Sequence, residues 1–222
     1  MAVKEKNRKH QQKSYSSKNT VSKIKSNGNN NTAWYALGMI MLITFVIYFK
    51  AIWFDFLIWD DNMYINLNER IKALNWENIR QMFSEFYFGN YHPLTTLGYA
   101  IDYKIAGDAP GLYHFVNIVM HVLNSLLVFI LIKKLAPQNV NVALITAAFF
   151  ALHPLHVESV AWVSERKDVL YTFFFLLSLI FYTDYLKTGQ LKNLLLTGLL
   201  FLLSCFSKSA AVILPLVMLL FD

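Results

Sequence analysis

The sequence has little charge and almost no cysteine. Only 15% of its 222 residues are Asp, Glu, Lys or Arg, whereas soluble domains carry about a quarter. Hydrophobic residues make up 56%. The single cysteine, Cys205, excludes an intrachain disulfide, and the sequence contains neither a Gly-rich phosphate loop nor an internal repeat. This composition argues against a soluble globule and favours a membrane protein.

The excess of positive charge is confined to one end. Residues 1–32 contain eight Lys or Arg and one acid, so the rest of the chain has a net charge of −1. A segment rich in Lys, Asn, Ser and Gln cannot bury enough apolar surface to fold, so we expect a disordered basic cytoplasmic tail. The nearly neutral remainder gives no support for a nucleic-acid partner.

Six apolar segments follow within residues 33–222 and predict an all-α polytopic membrane domain. The first is long enough to cross a hydrocarbon core of about 30 Å, but several later ones are shorter than about 20 residues. The six predicted crossings are Trp34–Phe54, Tyr113–Ile132, Val142–Leu152, Val169–Leu186, Leu191–Phe206 and Ala210–Phe221.

Basic residues at the segment ends predict the orientation. The tail, Lys133-Lys134 and the Lys187/Lys192 loop fall on one side, which the positive-inside rule makes the cytoplasm. We expect a bacterial plasma membrane, with a large acidic first loop facing outward. Three outside segments, distant in sequence, should then meet at one membrane face. They are residues 55–110, 153–168 and 207–209.

Two adjacent acids, Asp60 and Asp61, follow the first crossing. Crowded and desolvated carboxylates are poised to act as bases near neutral pH. Neighbouring side chains point in different directions, so one acid can be the base while the other orients it or binds a metal. The alternative is a solvated cap before a helix.

Three bases on the predicted outer face oppose the positive-inside bias: Arg166, Lys167 and Lys208. An anionic lipid head group explains them, because guanidinium and ammonium groups both bind phosphate. The alternatives are snorkelling to ordinary phospholipid or pairing with Glu165 and Asp168.

Several histidines lie near the same face. His153, His156 and Glu158 form H-x-x-H-x-E, a spacing that a helix could use for a metal, but Pro154 makes a regular helix there unfavourable. Hydrogen-bonding histidines at a helix end are the competing interpretation, so a metal stays open. His92 also precedes a proline, which should start a helix.

Polar and amphipathic positions suggest two further contacts. His114, Asn117, His121 and Asn124 lie in the second crossing, where we expect them to join helices. Residues 76–86 form an apolar stripe that suits either the membrane interface or packing on the protein itself.

Four motifs together resemble one family. The pattern FxxWDDxxYI, the segments YHPLTTLGYAIDY and ALHPLHVESVAWVSERKDVL, and the final LLSCFSKSAAVILPLVMLLFD resemble the membrane part of the TMTC (transmembrane and TPR-containing) proteins. These are similar to protein O-mannosyltransferases and to GT-C glycosyltransferases. The resemblance covers residues 34–222.

The resemblance implies a hexosyltransferase that moves a sugar, such as mannose, from a polyprenyl-phosphate carrier to an acceptor hydroxyl on a protein or glycan. It places Asp60 as the base beside Asp61, and Arg166, Lys167 and Lys208 at the carrier phosphate. His92, His153, His156 and Glu158 match the motifs without an assigned role. A lipid-linked sugar is the expected donor, and a divalent metal is an open expectation.

One departure from that family shapes the alternatives. The family pattern continues into more crossings and TPR repeats, which predicts an incomplete module: either a truncated or split gene product, or a minimal partner that needs another chain. A non-catalytic fragment or subunit of a split protein is therefore the first alternative. A small transporter with a polar path is the second.

Overall fold

The computed structural model describes residues 30–221, and every regular element in that range is helical. Residues 1–29, which include most of the predicted basic tail, lie outside the described residues. Short 3₁₀ or π turns join the main helices. The helices are α1 (Asn30–Phe49), α2 (Trp76–Ser84), α3 (Pro93–Ala106), α4 (Pro110–Leu135), α5 (Val140–Leu152), α6 (Val157–Ala161), α7 (Arg166–Thr188), α8 (Leu191–Ser207) and α9 (Leu214–Met218).

Local sequence signals explain where several helices begin and end. The Asn75 side chain caps α2 by accepting a hydrogen bond from the Asn78 amide at 2.7 Å. Pro93 occupies the first turn of α3, where its fixed φ suits the helix. Helix α5 ends at Leu152, ahead of Pro154, and the chain bends there by 49°.

The long apolar helices are fewer than the predicted crossings. Residues 30–221 contain three helices long and apolar enough to span a membrane, or four if the bent pair at Pro154 is one span. The fifth and sixth predicted crossings are not supported, because α8 has 17 residues and reaches only about 25 Å at 1.5 Å per residue. The three clear spans are Asn31–Trp53, Pro110–Leu135 and Val163–Thr188.

Helices α4 and α7 form the centre of the bundle. Helix α7 packs against α8 and α4, while α4 also packs against α5. Polar side chains of α4 bond to backbone carbonyls of neighbouring segments, as expected for polar groups inside a membrane domain. These bonds are Asn117 Nδ2 to Trp162 O (3.1 Å), His121 Nε2 to Ala151 O (3.0 Å) and Asn124 Nδ2 to Val169 O (2.8 Å).

The three segments predicted to meet at one end do so. Asp61 accepts a hydrogen bond from the Ser164 amide at 2.8 Å. The Thr95 hydroxyl donates to the Ser207 carbonyl at 2.9 Å. The first loop therefore contacts both the segment before α7 and the turn after α8, so this part of the prediction is confirmed.

The amphipathic helix α2 packs on the protein along part of its stripe. Met82 is buried in a cluster with residues of α3, and the Phe83 ring makes an edge contact with Phe206 of α8. Trp76 and Phe86 remain exposed. Packing on the protein is thus confirmed for part of the stripe, and the membrane-interface interpretation stays a prediction for the exposed part.

The basic residues predicted to share the other end also lie together. Lys134 forms an ion pair with Asp184, and the Lys187 ammonium donates to the Lys134 carbonyl at 2.9 Å. Lys133 lies 5.0 Å from the ring centroid of Trp34. The start of α1 and the ends of α4 and α7 thus form one basic end.

This arrangement predicts a simple labelling pattern. In a Cys205→Ser background, cysteines placed at exposed Asp55 and Glu158 should react with a membrane-impermeant maleimide from the same side. Cysteines at exposed Gln138 and Gln190 should react only from the opposite side. Labelling of positions 55 and 158 from different sides would contradict the fold.

Candidate active site

The two adjacent acids have different surroundings. Asp61 is almost fully buried, and its carboxylate accepts hydrogen bonds from the amides of Ser164 (2.8 Å) and Leu57 (2.9 Å) and from the Ser164 hydroxyl. Asp60 is only partly buried. Asp61 therefore clamps the first loop to the segment before α7 and leaves its neighbour as the more accessible carboxylate.

Four charged side chains form what we call the charged cluster: Glu165 in the turn before α7, Lys167 and Asp168 in the first turn of α7, and Lys208 directly after α8. The Lys167 ammonium lies 2.7 Å from Glu165, and the Lys208 ammonium lies 3.8 Å from Glu165 and also pairs with Asp168. The pairing with Glu165 and Asp168 that the sequence left as an alternative is thus present. Two cations and two anions balance, so the cluster has no net charge.

Arg166 points away from the charged cluster into the protein. Its side chain is 3% exposed and pairs with Asp102 of α3. It also donates to the Asn117 side chain at 2.9 Å and to the Tyr113 carbonyl at 2.8 Å. Tyr99 lies under the guanidinium, 5.1 Å from ring centroid to Cζ. Phosphate binding by Arg166 stays a prediction, whereas these contacts give it a clear role in positioning α3, α4 and α7.

Burial of Asp102 shows why Arg166 is needed. Desolvation raises the pKa of the Asp102 carboxyl, and the positive charge of Arg166 works in the opposite direction. An unpaired charge at this position would be strongly unfavourable. The motif YHPLTTLGYAIDY contains Asp102, and an acid next to the apolar residues of this motif is a sequence signal for a buried partner.

His92 and Tyr64 lie over the charged cluster. Their ring centroids are 5.7 Å apart, and the Lys167 ammonium is 5.8 Å from the Tyr64 ring centroid. Burial lowers the pKa of His92 to about 4, and the nearby Lys167 and Lys208 charges act in the same direction. Burial raises the pKa of Tyr64, with a smaller contribution from Asp60. His92 is therefore neutral at pH 7.

The H-x-x-H-x-E residues do not converge on one point. His153 accepts a hydrogen bond from the Leu155 amide at 3.2 Å, which caps the turn after α5. The His156 ring lies against Phe150, with centroids 4.6 Å apart, and Glu158 is exposed. Within residues 30–221 no three His, Cys, Asp or Glu side chains are placed to hold a metal ion.

Comparison with known proteins identifies the family. Residues 93–221, more than half of the chain, match the family described as dolichyl-phosphate-mannose-protein mannosyltransferase. This chain belongs to that mannosyltransferase family. The match includes α3, Arg166 and the whole charged cluster, whereas Asp60 and Asp61 precede it.

Individual mannosyltransferase relatives confirm the TMTC resemblance. Protein O-mannosyl-transferase Tmtc1 of Drosophila melanogaster is 32% identical over 124 residues, which is 56% of this chain and 14% of the relative. Human TMTC1 is 36% identical over 100 residues (45% and 11%), and Xenopus laevis tmtc2 is 31% identical over 163 residues (69% and 18%). The chain therefore spans only a small part of these relatives. No solved structure matches it.

The Arg166–Asp102 pair predicts a large effect on stability. Arg166→Met leaves the Asp102 carboxylate buried without its partner, so we expect the free energy of unfolding to fall by about 3–5 kcal/mol. The double variant Arg166→Met/Asp102→Leu should lose less than the sum of the single changes, as measured by denaturant unfolding in detergent. Arg70→Met, at the more exposed pair with Glu85, is the matched control and should change stability by about 1 kcal/mol or less. Wild-type stability in Arg166→Met would refute the role assigned to this pair.

His92 predicts a pH effect of defined sign. Its folded pKa of about 4 lies below the value of about 6.5 expected in an unfolded chain. The unfolded state thus binds the proton first, and stability falls as the pH drops from about 6.5 to 4. His92→Gln should flatten the pH dependence of thermal stability in this range, and the pH dependence between about pH 7.5 and about pH 8.5 should not change. An unchanged slope would show that His92 does not titrate in this way.

Proposed function

We propose that this chain is the donor-binding part of a GT-C-like glycosyltransferase that transfers a sugar from a polyprenyl phosphate to an acceptor hydroxyl. The observation that carries the proposal is the charged cluster, which lies inside the region matched by the mannosyltransferase family. It forms where three distant chain segments meet. The family description supports mannose as the sugar.

In this proposal, Lys167 and Lys208 bind the carrier phosphate. Each ammonium has three N–H donors on a flexible stem, so either lysine can contact a phosphate while it keeps one carboxylate partner. Glu165 and Asp168 hold the ammonium groups in place before the donor arrives. In this proposal Arg166 does not bind the phosphate. Its ion pair with Asp102 instead holds the helices that carry the site in position.

Asp60 is the proposed base for the acceptor hydroxyl. Asp61 is occupied by Ser164 and Leu57, so it fixes the position of the first loop. The carrier phosphate is already a good leaving group, and the lysines stabilise its negative charge as it departs. Attack by the acceptor oxygen opposite the phosphate inverts the anomeric centre, while a carboxylate accepts the acceptor proton.

The same proposal gives the protein an orientation. The basic end formed by Lys133, Lys134 and Lys187 faces the cytoplasm, and the charged cluster faces outward, where a protein or glycan acceptor would approach. We place it in the bacterial plasma membrane.

A second candidate is a membrane subunit that acts only together with further helices and TPR repeats on another chain. The alignments cover 14% of the Drosophila relative and 11% of the human one, and this candidate assigns the functions of the remaining parts to the other chain. A transporter has less support, because Asn117, His121 and Asn124 donate hydrogen bonds to backbone carbonyls of neighbouring segments and so serve to join them.

The catalytic proposal predicts a specific loss of activity. In membranes that contain the protein and radiolabelled mannosyl polyprenyl phosphate, we expect Asp60→Asn to reduce mannose transfer to protein by about 100-fold or more, because the base is lost. Asp55→Asn, at an exposed acid in the same segment, is the matched control and should transfer normally. Full transfer by Asp60→Asn would remove Asp60 as the base. The subunit candidate would be supported if the wild-type protein transferred mannose only after addition of a second chain that carries the further helices and TPR repeats.

A further inference from the structure

A small polar cavity lies behind the charged cluster. It has a volume of about 110 Å³ and is enclosed by α4, α5, α6 and α7. Asp168 forms part of its wall, and the same carboxylate pairs with Lys208 in the charged cluster. The cavity is therefore one side chain away from the proposed phosphate site. Its other polar or aromatic lining residues include His121, Asn124, Phe150, His156 and Ser159.

The polar groups of the cavity include several hydrogen-bond acceptors. Asn124 is 1% exposed; its amide nitrogen donates to Val169, but its Oδ1 has no hydrogen-bond partner. His121 Nε2 faces the Ala151 carbonyl, which can only accept, so the neutral ring carries its proton on Nε2 and leaves Nδ1 as an acceptor. Asp168 adds a carboxylate, to which the Ser159 hydroxyl already donates at 3.1 Å.

This pattern defines the chemistry of a ligand. A buried oxygen without a donor is unfavourable inside a membrane domain, so the cavity is suited to a group that brings O–H donors. A phosphate brings negative charge and acceptors, and the Asp168 carboxylate would repel it. The Phe150 and His156 rings, whose centroids are 4.6 Å apart, add aromatic surface against which C–H groups can pack. Hydroxyl donors combined with an apolar face are the properties of a sugar ring.

We propose that this cavity binds the sugar of the lipid-linked donor, with its hydroxyls directed to Asn124, His121, Asp168 and Thr172. The inference rests on the proposed function and adds a location for the sugar. Asp168 then connects the two parts of the donor site, since one oxygen pairs with Lys208 beside the phosphate and the carboxylate also faces the cavity. Binding of the sugar supplies the donor that Asn124 Oδ1 lacks.

The test compares two kinds of lipid on the full 222-residue chain in lipid nanodiscs. The probes are a short-chain polyprenyl phosphate and the same lipid carrying mannose or glucose, and the measurement is the dissociation constant. We expect the wild-type chain to bind at least one glycosylated lipid about three- to tenfold more tightly than the bare phosphate, from one or two net hydrogen bonds.

Two cavity variants should remove this preference. Asn124→Leu deletes the unpaired oxygen, and Thr172→Val replaces a cavity hydroxyl with a group of the same shape. Both should bind the bare lipid phosphate with wild-type affinity. Thr44→Val is the matched control, because that hydroxyl is buried within α1 and donates to the Ile40 carbonyl, away from the cavity. Thr172→Val keeps the test valid if Asn124→Leu, which also loses its bond to Val169, does not fold.

The outcomes distinguish a failure of the proposed function from a failure of the sugar site alone. If neither kind of lipid binds, or if Lys208→Ala does not weaken binding of the bare phosphate, then the proposed function fails and the cavity assignment fails with it. If the bare phosphate binds through Lys208 but the sugar adds no affinity, or its preference survives in both cavity variants, only the sugar site is refuted.

Discussion

The buried ion pair between Arg166 and Asp102 is the interaction on which the arrangement of this end of the protein depends. Both side chains are nearly inaccessible to solvent, and an unpaired charge there would strongly destabilise the fold. Arg166 is the first residue of α7, and its guanidinium joins this helix to two others. It contacts Asp102 of α3, and it also donates to the Asn117 side chain and the Tyr113 carbonyl of α4. Formation of the pair therefore sets the position of the following residue, Lys167, relative to the first loop.

As a consequence, the three cations differ in their partners and in their accessibility. Arg166 is held by internal partners, whereas Lys167 and Lys208 keep part of their surface accessible and have carboxylate neighbours that a ligand can share. The acids are divided in the same way: Asp61 holds the loop through Ser164, and Asp60 stays more accessible. Each pair of adjacent charges, Arg166 with Lys167 and Asp61 with Asp60, thus contains one group that is held by internal partners and one that stays more accessible. Behind them, Asp168 joins the charged cluster to the polar cavity.

The sequence predicts the local features better than the long-range ones. Asn75 and Pro154 act through residues within a turn of themselves, so the cap of α2 and the end of α5 could be predicted. The meeting of three segments follows from charge patterning and the alternation of spans. The partner of Arg166 could not be predicted in this way, because Asp102 lies 64 residues away, and a basic residue at a membrane face looks the same whether it binds a lipid or an acid. The crossing count was too high because an apolar run such as residues 210–221 does not reveal the turn that interrupts it.

The most direct test of this account is mass spectrometry of lipids that remain bound after the wild-type protein is purified from bacterial membranes. The account predicts that polyprenyl phosphates, with or without a sugar, are enriched over bulk phospholipid, and that the Lys167→Ala/Lys208→Ala variant loses this enrichment while it stays folded. Equal lipid profiles for the two proteins, with bulk phospholipid alone, would contradict the assignment of the charged cluster as a lipid-phosphate site.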